Sequence, residues 1–289
     1  MKFLLSQYKA FKFLIAFYSI LGALPAPAFP SGPSTVPYTS ALGIPSDQTS
    51  IDVYKCNPSF KHLVVYVHGG AWIRGDKRNV HAMPEFFYEN NICFASINYP
   101  LKSPDDRALM DHQLDALSSF NNWLASHPIS SSPFQGISIL GHSAGSHLVA
   151  LFDKRFGWNQ HVENLILLDS ASYDLNLKYN ESSDRFKRLL EYVLRLECFS
   201  WDLHPSVLRN FSPALLPVKA RPHSILNIDV FSGLRSNAKE SGRLLGESYA
   251  ASSDYRVRYF NHPWRHSDFP RNVGVDPDFG DQLLRIVRR

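Results

Sequence analysis

Residues 137–152 read Ile-Ser-Ile-Leu-Gly-His-Ser-Ala-Gly-Ser-His-Leu-Val-Ala-Leu-Phe. The apolar run 137–140 reads as a buried strand and 146–152 as a helix, which leaves Gly141-His142-Ser143-Ala144-Gly145 as the turn between them. A serine in so sharp a turn takes a strained backbone that lifts its hydroxyl clear of the sheet edge. The flanking glycines remove side chains that would collide with neighbouring backbone. Ser143 is therefore the candidate nucleophile, and a strand feeding straight into a helix predicts an α/β architecture.

The pattern repeats outward from that turn. Further short apolar runs lie at 63–67, 92–97, 165–168, 224–230 and 255–260, separated by helical spacing at 108–125 and 279–287. Near-continuous apolar strands alternating with helices predict a mostly parallel sheet covered on both faces. The stretch 176–221 interrupts the alternation. Phe186, Leu189, Leu190, Val193 and Leu194 give residues 184–196 an apolar stripe, and so long a loop predicts a small helical cap rather than bare coil.

A second glycine signal stands at the end of the run 63–67, where His68-Gly69-Gly70-Ala71-Trp72 follows directly. Charge that builds on a carbonyl oxygen during acyl transfer is stabilised by preorganised backbone N–H groups. Gly69 and Gly70 are the candidate donors, with the amide of Ala144, next after the serine, as the third. His68, at a strand end, reads as a brace for this loop rather than as a base.

These residues carry a family resemblance. His68-Gly69-Gly70-Ala71-Trp72-Ile73-Arg74-Gly75-Asp76-Lys77, Asn98-Tyr99 and the Ser143 turn resemble the esterase and kynurenine formamidase branch of the α/β-hydrolases. His-Gly-Gly-x-Trp is characteristic of those formamidases, and the extension through Asp76-Lys77 is common in related esterases. Asp52-Val53-Tyr54, Ala171-Ser172-Tyr173-Asp174-Leu175 and Ser212-Pro213 match further, so the resemblance spans about residues 50 to 288. It implies an α/β-hydrolase fold and a serine hydrolase, carboxylesterase or arylformamidase-like, with no metal or organic cofactor. The substrate it implies is a small-molecule ester or amide. The family's Arg after Asn98-Tyr99 is Pro100 here.

A serine hydroxyl needs a base to take its proton, and in this fold the order is serine, acid, histidine. Trp264-Arg265-His266-Ser267-Asp268-Phe269 resembles the family's glycine–histidine loop, making His266 the expected base and His262 the fallback. Arg265 replaces the family's glycine, a departure expected to crowd the loop. The acid is ambiguous, because Gly233 stands where the family places an Asp. Asp229, four residues earlier, is the first choice. Asp169 and Asp174 are the alternatives, and a chain with no acid, kept as a binding protein without turnover, is the rival of another class.

The first 28 residues differ from the rest. Lys2, Lys9 and Lys12 precede an apolar run at 13–24, and Ala26-Pro27-Ala28 supplies small residues at a cleavage position. This layout predicts a signal peptide and a secreted or periplasmic protein, with an uncleaved membrane anchor as the alternative. Residues 29–49, rich in Pro, Ser and Gly, read as an irregular leader to a domain at 50–289. Export removes the chain from intracellular tryptophan catabolism, so short-chain or aryl esters are expected over N-formylkynurenine. Among three cysteines, Cys93 reads as a buried thiol, leaving Cys56 and Cys198 as the pair to test; none has metal-ligand spacing. Asn180-Glu181-Ser182 and Asn210-Phe211-Ser212 are sequons. Net charge is only +4 and the basic residues are scattered, which argues against a nucleic-acid partner.

Overall fold

Leu-Val-Val-Tyr-Val at 63–67 and the run 92–97 are buried on both faces, as near-continuous apolar strands must be. They lie at the centre of an eight-stranded sheet in a computed structural model. The structure describes residues 32–40, 43–103, 105, 107–126, 129, 134–195, 205–221 and 224–289. Those from Pro33 onward form one compact unit. The segment read as a signal peptide lies outside the described residues. Among the described residues, no helix is long and apolar enough to cross a membrane.

In chain order the elements are β1 (Ser34–Pro37), β2 (Ser50–Val53), β3 (His62–Val67), α1 (Met83–Glu89), β4 (Ile92–Ile97), α2 (Leu109–Ser126), β5 (Gly136–His142) and α3 (Ala144–Arg155). There follow β6 (Val162–Leu168), α4 (Leu175–Asn180), α5 (Asp184–Leu194), α6 (Pro205–Asn210), β7 (Leu226–Ser232), α7 (Ser236–Ala250), β8 (Tyr255–Asn261), α8 (Asp268–Asn272) and α9 (Pro277–Val287). The strand order is β1-β2-β4-β3-β5-β6-β7-β8. The β1–β2 and β2–β4 pairs are antiparallel and the rest parallel.

Strand alternation sorts the core into two layers. Leu63, Val65 and Val67 join Leu117 and Phe120 of α2, Leu148 and Leu151 of α3, and Leu245 of α7 on one face. Val64, Tyr66, Leu140, Ile166 and Phe231 meet Phe87 of α1 and Phe279 and Leu283 of α9 on the other. Register then fixes the position of the site. Val67 pairs with Gly141, His142 with Leu168, Leu168 with Phe231, and Phe231 with Phe260. The loops after β3, β5, β6, β7 and β8 therefore emerge along one edge, where open parallel sheets bind ligands.

Two expectations change. The stretch read as irregular leader contains β1, a four-residue strand mostly exposed, too short and polar to show an apolar period. Cys93 is not a free thiol: it is buried in β4 and bridged to Cys56, which follows β2, the strand next to β4. Cys198, the partner expected for Cys56, lies outside the described residues. The stretch expected to form a cap holds α4, α5 and α6, with Leu190, Val193 and Leu194 of α5 buried. Asn180 and Asn210 of the two sequons are exposed.

Candidate active site

Ser143 sits between β5 and α3 with φ 56° and ψ −117°, the left-handed strain expected of the turn. Its amide donates to Leu168 O at 2.9 Å, which ties the turn to β6. The flanking glycines are required sterically. A Cβ at Gly141 would lie 2.7 Å from the backbone of Ser146, and one at Gly145 would lie 2.2 Å from Val67 O. Ala144 opens α3, and an amide in the first turn of a helix has no intrahelical acceptor.

The loop after β3 comes close to this turn. A Cβ on Gly69 would lie 3.0 Å from both Ser143 Cβ and His142 O, so a larger residue would press on the serine turn, and glycine eases the close approach. Gly70 has φ +127°, and a Cβ there would strike Arg74 O at 2.0 Å. Ala71 and Trp72 also have positive φ, 52° and 64°, a strain of roughly 1–3 kcal/mol per residue. Buried anchors hold it. The Trp72 indole donates to His147 Nδ1 at 3.2 Å, and Gln113 Nε2 donates to Trp72 O at 2.7 Å. Lys77 pairs with buried Asp52, Lys77 N donates to Asn98 Oδ1 at 2.7 Å, and Tyr99 OH donates to His68 O at 2.8 Å. His68 stacks on Tyr99 at 4.3 Å with Nδ1 2.8 Å from Gly69 O, and burial lowers its pKa. It braces the loop.

His266 Nε2 lies 2.9 Å from Ser143 Oγ, and His266 Nδ1 lies 2.8 Å from Asp169 Oδ2. Asp169 directly follows β6, has φ 45°, and its carboxylate is fully buried. Gly233 N donates to Oδ1 at 2.8 Å, and Arg235 donates to Oδ2 through Nη2 at 2.8 Å and Nε at 3.1 Å. Burial works to raise the Asp169 pKa. The His266 hydrogen bond, the Arg235 charge and the Gly233 amide outweigh it and hold the carboxyl below its ordinary value.

Asp229, the first choice for the acid, does not reach His266. It lies within β7 opposite Ile166, three residues short of the level of Asp169. Its carboxylate forms an ion pair with Arg258 of β8 at 2.5 Å and stands 3.6 Å from Arg289. Burial raises its pKa to about 7 against the pull of Arg258. Asp174 is occupied as the N-cap of α4, accepting from Asn176 N and Leu177 N at 2.9 and 3.1 Å. His262 faces away from the serine, stacked on Trp264 at 4.4 Å and 3.1 Å from Gln282 Oε1. Arg265 does not crowd the loop; it is exposed, and its amide donates to Asp268 Oδ2 at 2.9 Å.

Two residues of this site were not foreseen. Arg235 touches His266 as well as Asp169, with Nη2 2.9 Å from Nδ1. His142 stacks against His266 at 4.6 Å and donates Nε2–H to His266 O at 2.9 Å. Burial first, then the nearby His266, lowers the His142 pKa to about 3, so the ring is neutral and fixed as a donor. Its place inside the Gly-x-Ser-x-Gly run was the available signal. Among the described residues, no group of three or more His, Cys, Asp or Glu side chains is placed to hold a metal ion.

Comparison with known proteins follows this geometry. The BD-FAE family model matches residues 51–183. No curated protein matches the chain. Esterase B from Lactobacillus rhamnosis in a C6-C4 SN3 inhibited form is 15% identical with TM-score 0.66, covering 99% of this chain and 94% of that one. Thermogutta terrifontis esterase 2 phosphonylated by sarin is 18% identical with TM-score 0.63, covering 90% and 94%. A putative thioesterase from Silicibacter sp. TM1040 is 17% identical with TM-score 0.62, covering 88% and 84%. Strand order, elbow and these likenesses together give the chain the α/β-hydrolase fold.

Proposed function

We propose that the protein is an exported serine hydrolase that cleaves a carboxylic ester, short-chain or aryl, through an acyl-enzyme on Ser143. One observation carries the reading: the hydrogen-bonded line from Ser143 Oγ through His266 to Asp169 Oδ2, at 2.9 and 2.8 Å. His266 Nε2 takes the serine proton as Oγ attacks the carbonyl carbon. The amides of Gly69, Gly70 and Ala144 receive the oxyanion. The imidazolium, held by Asp169, then returns the proton to the leaving alkoxide. Water repeats the sequence on the acyl-enzyme and regenerates the serine. The Asp169 carboxylate on His266 favours turnover over the non-catalytic reading.

The names of the neighbours support an ester substrate, since two are esterases and one a putative thioesterase. Export is supported by the leader composition and by the Cys56–Cys93 bridge, which persists in oxidising compartments. Helices α4 to α6 would roof the pocket, and the contact of Phe186 with Trp72, ring centroids 6.3 Å apart, favours that placement. His68-Gly69-Gly70-Ala71-Trp72 favours a second acyl class, N-formyl amides of the kynurenine formamidase type; kcat/KM for an aryl acetate against an N-formyl arylamine decides between them.

A fluorophosphonate probe tests the core of the reading. Labelling of the wild type that disappears in Ser143→Ala is the expected result. A folded wild-type protein that takes no label overturns it.

A further inference from the structure

His147 lies on α3 one turn after Ser143, its amide donating to Ser143 O at 3.1 Å and its side chain fully buried. Both ring nitrogens are occupied. Nδ1 accepts from the Trp72 indole at 3.2 Å, and Nε2–H donates to Phe211 O at 2.8 Å. Burial, against the pull of the Phe211 carbonyl, lowers the His147 pKa to about 4, so the ring stays neutral in this one tautomer. The two partners belong to different parts of the site. Trp72 lies in the turn that carries Gly69 and Gly70, packed edge-on against the imidazole with ring centroids 5.3 Å apart. Gly70 O accepts from Ile73 N and Arg74 N at 3.3 and 3.0 Å, closing that turn around Trp72, so the seat of the indole and the aim of the Gly70 peptide are joined. Phe211 directly follows α6, in the proposed cap. Arg155, farther along α3, holds the same segment by donating to Asn210 O at 2.7 Å and standing 4.4 Å over the Phe211 ring.

We infer that His147 is a positioning residue that joins the proposed cap to the oxyanion loop, so that the seat of the α6 segment and the aim of the Gly69 and Gly70 amides are set together. This deepens the serine hydrolase reading and rests on it. A rigid ring with one acceptor and one donor, both in use, passes a displacement of either partner to the other. Misaimed amides cost most in the transition state, where the oxyanion carries its charge, so a loss on the Trp72 side falls on kcat rather than KM. A loss on the Phe211 side loosens the roof and falls on the binding of longer acyl chains.

The experiment separates the two bonds. Asparagine places a carbonyl oxygen near Nδ1 and glutamine an amide nitrogen near Nε2, so His147→Asn keeps an acceptor for Trp72 and His147→Gln keeps a donor for Phe211 O. On 4-nitrophenyl acetate, His147→Gln is expected to lower kcat about tenfold to a hundredfold with KM little changed. Trp72→Phe, which removes the indole N–H, is expected to lose as much, and the double variant no more than either single one. His147→Asn is expected to recover much of that kcat and to raise KM for 4-nitrophenyl butyrate more than for the acetate. Folded variants that lose only Tm, additive losses in the double variant, or identical kinetics of His147→Asn and His147→Gln overturn the proposal. Should His147→Gln fail to fold, the kcat of Trp72→Phe against that of His147→Asn decides in the same way. A wild type that hydrolyses neither ester and takes no fluorophosphonate label instead overturns the hydrolase reading beneath it.

Discussion

The amide of Gly233 donates to Asp169 Oδ1 across 2.8 Å, while Oδ2 of the same carboxylate faces His266 Nδ1 at an equal separation. A backbone amide and a guanidinium thus hold the carboxylate from two sides, leaving one oxygen edge for the imidazole. Replacing the carboxylate by its isosteric amide removes the charge that stabilises an imidazolium while preserving the packing. Asp169→Asn is expected to lower aryl ester turnover by up to about 10⁴-fold. Asp174→Asn and Asp229→Asn are expected to stay within about tenfold of wild type in kcat, measured on the same ester.

Gly233→Asp tests the same arrangement from the other side. A Cβ there would lie 2.4 Å from Trp264 O and 3.0 Å from Phe269 Cε2, and the new carboxylate would stand beside Asp169. The substitution is expected to lower Tm by about 5 °C or more, as overpacking by roughly 2 kcal/mol would. It is expected to restore nothing to Asp169→Asn. Recovered turnover in the double variant would show that the loop after β7 can still carry the acid.

The buried Asp229 gives a pH signature in stability rather than activity. Its pKa rises from an ordinary carboxyl value of 3.8 to about 7 in the fold. Between those values the folded state binds the proton more tightly than the unfolded state, so deprotonation opposes folding. Wild-type stability relative to Asp229→Asn is therefore expected to fall as pH rises from 4 to 7, and to level off above. Urea unfolding midpoints of the two proteins across that range measure it. A constant difference would mean that Arg258 holds the carboxylate ionised throughout.

His142 fixes the backbone of the His266 loop through a single donated hydrogen. His142→Phe keeps a ring against His266 but takes from His266 O the donor that the imidazole supplied. Turnover is expected to fall about tenfold to a hundredfold through misplacement of Nε2. Because His142 is neutral above about pH 3, the loss should be uniform from pH 5 to 8. A loss that varies with pH in that range would assign the ring a titrating role.

The Cys56–Cys93 bridge closes a loop with a sequence separation of 37. Chain entropy assigns such a loop about 4 kcal/mol. The non-reduced, denatured protein is expected to titrate one thiol, that of Cys198. Reduction, or Cys56→Ser with Cys93→Ser, is expected to lower Tm. Three titratable thiols before reduction would contradict the bridge.

The sheet was largely legible in the sequence because its strands are apolar on both faces. The run 92–97 coincides with β4, and 63–67 and 255–260 each fall one residue short of β3 and β8. The Ser143 turn was legible because glycine and strain leave few alternatives. The carboxylate facing His266 was not. Both Asp169 and Asp229 adjoin apolar runs, and register alone separates a residue at the sheet's edge from one inside a strand. Asp169 comes directly after 165–168 and Asp229 lies within 224–230, a positional cue that the family alignment to Gly233 obscured. Cys93 was misjudged because burial suits a free thiol and a bridged one equally.

The Asp229–Arg258 pair also bears on how copies of the chain behave toward one another. β8 is an edge strand, and among the described residues no strand pairs with its outer side. Such a row of unpaired amides and carbonyls is a template for intermolecular pairing unless charge discourages it. Anchored by Asp229, Arg258 keeps a guanidinium on that border, and exposed Arg256 lies two residues before it. At the opposite border, β1 is four residues long and ends in Pro37. Each margin of the sheet thus carries its own deterrent to aggregation, and the deterrent on β8 is held in place by a buried acid that takes no part in the serine–histidine line.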